Sequence, residues 1–170
     1  IKMLKGAMQQ LIVGNPAILK TDIGPVIDIE AKQTIDTHIQ KMKSKGYPVH
    51  QLMFNDAVSQ QTLAQGTFVP PTAIELPNLD DLEREVFGPV LHIITYKYGE
   101  LEQLIDRINA KGYGLTMGLH TRIDETINTV IQRAEVGNLY INRNIVGAVV
   151  GVQPFGGEGL SGTGPKAGGP

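Results

Sequence analysis

Apolar positions along this chain follow two rhythms. Four stretches repeat every three to four residues, as the buried side of a helix does, and short β-compatible runs lie between them. In the first stretch, Met3, Leu4, Ala7, Met8, Leu11 and Ile12 predict a core helix over residues 1–13, stopped by Gly14 and Pro16. A loop with two prolines follows. Asp28 then stands where it can cap a second helix, whose inner face is Ala31, Ile35, Ile39 and Met42, with His38 beside them. That helix ends at Gly46-Tyr47-Pro48. Leu101, Leu104, Ile105 and Ile108 predict a third helix over residues 100–110, with Gly112 at its end. Thr121 and Asp124 carry a capping-box spacing and open a fourth over residues 123–135, with Ile127, Val130, Ile131 and Ala134 inward.

Strands are predicted at residues 49–54, about 73–75, 90–96, 115–120 and 138–142. The polar stretch 55–65 reads as a surface loop and 77–84 as an acidic turn. From Val90 onward the order is strand, helix, strand, helix, strand, with short connections. This predicts an α/β fold, a mostly parallel sheet with flanking helices and right-handed crossovers. Ligands bind such sheets in loops at the strand ends. Two loops then matter: the one holding Glu85 and Phe87, and the long one after Asn142.

Composition narrows the function classes. The chain has 170 residues, enough for one domain over 1–170, and 41% apolar with 19% charged residues marks an ordinary globular chain. A net charge of −2 without a Lys/Arg stripe argues against nucleic acid as the main partner. No apolar run approaches the ~18 residues of a transmembrane segment, and no signal peptide is visible. The first residue is Ile, which points to a piece of something longer. There is no cysteine, so disulfides, thiolate metal sites and a cysteine nucleophile are excluded within these residues. The four histidines have no metal spacing and read as structural; no metal site and no catalytic residue are predicted.

Ten of the 34 residues from Gly137 to Pro170 are glycine, a composition that costs folding entropy. Its centre, Glu158 to Gly164, reads as a small-anion loop of bare N–H groups with one or two hydroxyls. Gln153-Pro154-Phe155-Gly156-Gly157 before it looks like a fixed corner. Gly157-x-Gly159-x-x-Gly162 is formally GxGxxG, but Pro165 and a glycine-proline end follow where a dinucleotide fingerprint needs a helix. Lys166 follows Pro165, so there is no Walker motif either. Glu85 and Phe87 stand two residues apart at the entry to an apolar strand and point the same way. A carboxylate for a diol beside a flat ring suits a ribose carrying a nicotinamide.

Taken together, EVFGPV at residues 85–90, the two helix–strand units, GNLYINRN and QPFGG resemble the C-terminal half of an aldehyde dehydrogenase catalytic domain. NRNIVGAVVGVQPFGGEGLSGTGPKAGGP, with the early TDIGPVID, resembles the pyrroline-5-carboxylate (glutamate semialdehyde) dehydrogenase module of the bacterial bifunctional proline utilization family. The resemblance covers essentially the whole chain. It implies NAD-dependent oxidation of glutamate semialdehyde to glutamate by a cysteine thiolate. That nucleophile, a general-base glutamate and the Rossmann half all precede, in the family, the residues matched here. It also implies that Glu85 bonds the nicotinamide ribose hydroxyls and that Phe87 lies beside that ring. Ser161, with Gly159, Leu160 and Gly162, is implied to anchor the substrate carboxylate, and Phe155 to stand near the aldehyde pocket. FAD belongs, on this resemblance, to a separate upstream proline dehydrogenase domain. A homo-oligomeric, cytoplasmic parent, peripheral at the membrane through other domains, is implied as well.

Two other readings remain open on sequence: a non-enzymatic binding or assembly module of the same fold, and an aldehyde dehydrogenase of other specificity. A half-domain leaves surfaces unmet, which predicts self-association or disorder in the glycine-rich end.

Overall fold

The computed structural model describes residues 1–54, 61 and 64–168. The chain divides into two compact units, Ile1–Thr95 and Tyr96–Pro170. Of the predicted 55–65 surface loop, residues 55–60, 62 and 63 lie outside the described residues; Gln61 and Ala64 are helical rather than loop, with Gln65 N donating to the Gln61 carbonyl at 3.1 Å.

The first unit is a small sheet with one principal helix. Helix α1, Lys2–Met8, is shorter than its apolar pattern predicts, and none of its residues is buried. Asp22 explains the early stop. Its Oδ2 accepts the Ile12 N–H at 2.9 Å, and the Ile12 carbonyl accepts the N–H groups of Asp22 and Ile23. A side chain that offers the backbone another partner competes with the helix ladder. Val13 then joins Leu52 and Phe68 in a small apolar cluster.

Helix α2, Ile29–Ser44, starts as predicted, with Asp28 Oδ1 accepting from Ala31 N at 2.7 Å. Its Ile35, Ile39 and Met42 are buried against Val69, Ile74 and Leu76. Gly46, at φ 79°, lets the chain turn out of it. Strand β1 (Val49–Gln51) runs antiparallel to β2 (Thr72–Leu76), and β2 runs parallel to β3 (Val90–Ile94), with Thr72 opposite Val90 and Leu76 opposite Ile94.

Among the described residues, the second unit carries two helices and two strand pairs. Helix α3, Leu101–Asn109, buries Ile105, and helix α4, Asp124–Arg133, buries Val130. Ile131, predicted inward, is exposed. Arg133 ties the helices together, its guanidinium on both Asp106 oxygens at 2.7 and 2.8 Å. Strands β4 (Tyr113–Gly114) and β5 (Thr116–Leu119) follow α3. β5 pairs in parallel with β6 (Asn138–Ile141), and β4 pairs antiparallel with β7 (Glu158–Gly159).

The predicted capping box at Thr121 does not form. Thr121 Oγ1 accepts from Ile123 N at 3.2 Å, ahead of the helix, and α4 has no side-chain cap. Asn142 takes hold of Thr121 instead, accepting its N–H at 3.0 Å and donating to its carbonyl at 2.9 Å. Asn142 sits at φ 54°, a conformation its short polar side chain tolerates.

Candidate functional site

The Glu85–Phe87 segment is positioned from both sides. Before it, Leu79–Asp81 forms a 3₁₀ turn capped by Asn78, whose Oδ1 accepts from Asp80 N at 2.7 Å. The acidic turn is fastened to α2. Lys41 donates to both Glu83 oxygens at 2.9 and 3.0 Å, and Lys45 donates to Asp81 at 3.0 Å. The Tyr47 hydroxyl donates to Asp81 at 2.7 Å, and this bond, then that of Lys45, holds the Asp81 carboxyl below the usual range. After the segment, the Pro89 carbonyl accepts from Thr72 N at 2.9 Å, which hands the chain to β3 in register with β2. Gly88 leaves room for the core here. A Cβ would lie 2.4 Å from Cδ1 of Ile35, a side chain that is 1% exposed.

Within the segment, Val86 packs on the core while Glu85 and Phe87 on either side are exposed, Phe87 at 84%. Both flanking side chains therefore leave the core side that Val86 faces. A carboxylate and an uncovered ring are offered outward by one short run of backbone.

The glycine-rich segment is folded back on itself. Phe155 and Ala167 exchange two backbone hydrogen bonds, at 2.9 and 2.8 Å, and so close a loop over residues 155–167. Asn138, at the start of β6, holds the near end: its Nδ2 donates to the Pro154 carbonyl at 2.9 Å, and its Oδ1 accepts from Gly156 N at 3.2 Å. Gly137 and Gly156 meet so closely that a Cβ on Gly137 would lie 1.7 Å from the Gly156 oxygen. The tip lies on β4, where the Gly112 carbonyl accepts from Leu160 N at 2.8 Å. These fastenings use the bareness of glycine for close backbone approach.

The loop places Ser161, Gly159, Leu160, Gly162 and Phe155 in one structure, but its N–H groups are not bare. Leu160 N donates to Gly112 O, Ser161 N to Glu158 O at 3.0 Å and Gly162 N to Gly159 O at 3.2 Å. The expected nest of free donors is thus corrected: Leu160 N fastens the tip to Gly112, and the other two hold the loop's own turn. Ser161 Oγ accepts from Gly114 N at 3.2 Å. A hydroxyl that accepts keeps its own hydrogen to donate. Leu160 is 71% exposed, and Phe155 is half-buried. Gly114, Gly137, Asn138 and Lys166 were not singled out on sequence as parts of this loop. Their partners lie 16 to 47 residues away, beyond any local pattern.

His38 on α2 and His92 on β3 form a second polar cluster, with their Nε2 atoms 2.8 Å apart. Burial, and then His38 itself, pushes the His92 imidazole down to about 4. Among the described residues, no group of three or more His, Cys, Asp or Glu could hold a metal ion, and no helix is long and apolar enough to cross a membrane.

Helices flanking parallel strand pairs define an α/β protein. The model of the aldehyde dehydrogenase family matches residues 1–170, and the chain belongs to that family. It is 64% identical over its full length to the bifunctional protein PutA of Salmonella typhimurium strain LT2, of which it covers 13%. It is 38% identical over 164 residues to the 1-pyrroline-5-carboxylate dehydrogenase of Geobacillus kaustophilus, covering 95% of this chain and 30% of that protein. Among solved structures it matches proline utilization A of Bradyrhizobium japonicum with a TM-score of 0.87 and 48% identity, over 98% of this chain and 16% of that one. The chain thus spans about an eighth of the length of the PutA proteins it matches.

Proposed function

We infer that this chain supplies the ribose and carboxylate contacts of an NAD-dependent L-glutamate γ-semialdehyde (pyrroline-5-carboxylate) dehydrogenase. The observation that carries the reading is the hydroxyl of Ser161. It is fixed as an acceptor from Gly114, with its hydrogen left to donate, at the tip of a closed loop. The likeness to PutA and 1-pyrroline-5-carboxylate dehydrogenases supports it. In this reading Ser161 donates to one carboxylate oxygen of the substrate. Gly159, Leu160 and Gly162 set the backbone around it, and Phe155 lines the aldehyde side.

The Glu85–Phe87 pair fits the cofactor. Its exposed carboxylate has the acceptor oxygens that two ribose hydroxyls need, and the uncovered Phe87 ring offers a flat apolar face. NAD, when bound, supplies the hydride acceptor. These two residues would hold and orient its nicotinamide ribose. This chain has no thiol, so the sulfur nucleophile of the reaction has to come from outside these 170 residues.

The test is NADH formation from glutamate semialdehyde. The full-length protein that carries this chain turns over, Glu85→Ala in it raises KM for NAD, and the 170-residue chain alone gives no rate. A full-length protein that reduces no NAD with the semialdehyde contradicts the reading, and so does robust turnover by the chain alone.

A further inference from the structure

We propose that Lys166 is a positioning residue for Ser161, acting through a run of hydrogen bonds across two buried glycines. Lys166 Nζ donates to the Gly137 carbonyl. Gly137 N donates to the Gly114 carbonyl at 3.0 Å. Gly114 N donates to Ser161 Oγ at 3.2 Å. Three bonds therefore join an ammonium on the returning end of the loop to the hydroxyl at its tip.

The two glycines transmit position because neither has room to drift. Both are buried. A Cβ on Gly114 would lie 2.5 Å from the Glu135 oxygen, and one on Gly137 would lie 1.7 Å from the Gly156 oxygen. The Lys166 stem also passes over Gly156, whose Cβ position is 3.1 Å from Lys166 Cγ. A long, exposed side chain gives up much of its rotamer freedom to hold one buried carbonyl. It does so beside the Phe155–Ala167 closure, where the loop is fastened. Removing the ammonium leaves the Gly137 carbonyl buried without that partner and frees the returning strand of the loop. Gly114 then loses its fixed neighbour, and the Ser161 hydroxyl loses its fixed donor.

The kinetic half of the test rests on the reading of Ser161 as the carboxylate donor; the exchange half does not. In the full-length protein, Lys166→Met speeds amide hydrogen exchange at Gly114, Leu160 and Ser161 by roughly fivefold, the loss of about one net hydrogen bond. Lys166→Arg restores native exchange. KM for glutamate semialdehyde rises by a similar factor in Lys166→Met, while kcat and the KM for an uncharged aldehyde stay near native. Should Lys166→Met not fold, Lys166→Gln, a shorter neutral donor, takes its place. Unchanged exchange at Gly114 and Ser161 overturns the proposal whatever the kinetics. A selective KM rise in Ser161→Ala without one in Lys166→Met also overturns it, with the carboxylate reading intact. Faster exchange in Lys166→Met, alongside a Ser161→Ala that discriminates nothing, supports the positioning role and removes the carboxylate reading alone.

Discussion

Gly157→Ala is the sharpest probe of the loop. Gly157 has an ordinary backbone conformation, so the added methyl acts through space alone. Its Cβ would stand 2.1 Å from the Ser161 carbonyl oxygen, 2.6 Å from its carbon and 2.8 Å from its Cβ. Contacts under 3.0 Å are essentially never seen for a real Cβ, so the Ser161 backbone must retreat by roughly 1 Å. The bond from Gly114 N to Ser161 Oγ is already 3.2 Å long, and a displacement of that size ends it. A hydrogen bond to a charged group is worth ~1.5–3 kcal/mol, which is roughly a tenfold to hundredfold rise in KM for a substrate bearing the carboxylate. The assay is steady-state NADH formation by the full-length variant, with glutamate semialdehyde and with an uncharged aldehyde of similar length. The KM ratio between the two collapses, and because the clash is with backbone the variant also loses about 1–3 kcal/mol in urea unfolding. A folded variant that keeps the native ratio refutes the argument that the loop's packing sets the position of Ser161.

Other parts of the molecule make their own predictions. Gly88→Ala drives a methyl into the buried Ile35; it costs about 1–3 kcal/mol in urea unfolding and raises KM for NAD by displacing Glu85 and Phe87. Gly6→Ala meets nothing within 4 Å in the middle of α1 and stabilises by roughly 0.5–1 kcal/mol. The His38–His92 pair gives a pH dependence. Burial lowers both imidazoles, His92 to about 4, against an ordinary value of 6.5. Between those values the unfolded chain binds more protons than the folded one, so stability falls as pH drops from about 6.5 towards 4 and levels off below. In His92→Gln that part of the slope, followed by urea titration across pH, flattens.

The helices and the parallel β5–β6 pair were legible from helix periodicity and the strand–helix–strand order, whereas the pairing of β3 with β2 rather than β5 was not. Asp28 caps α2 three residues away, and Ile35, Ile39 and Met42 show the period of a buried face. Two errors came from competition that periodicity does not register. Asp22 draws Ile12 out of the first helix, and Asn142 draws Thr121 out of its capping box. At the candidate site, two-residue spacing singled out Glu85 and Phe87, the resemblance suggested roles for them and for Ser161, and glycine content marked the loop. What the loop does with its donors was not readable. The partners of Leu160 and Ser161 N–H depend on how the loop closes, and the bonds from Gly114 and Lys166 span 47 and 29 residues. Gly137, Gly157, Gly159 and Gly162 are packing surfaces against other backbone rather than free hinges, a distinction that composition does not make.

Replacing Ser161 with alanine in the full-length protein tests the assignment most directly. Measured with glutamate semialdehyde against an aldehyde of equal length lacking the carboxylate, KM rises at least tenfold for the first and stays native for the second. An equal change for both aldehydes, or none for either, contradicts it.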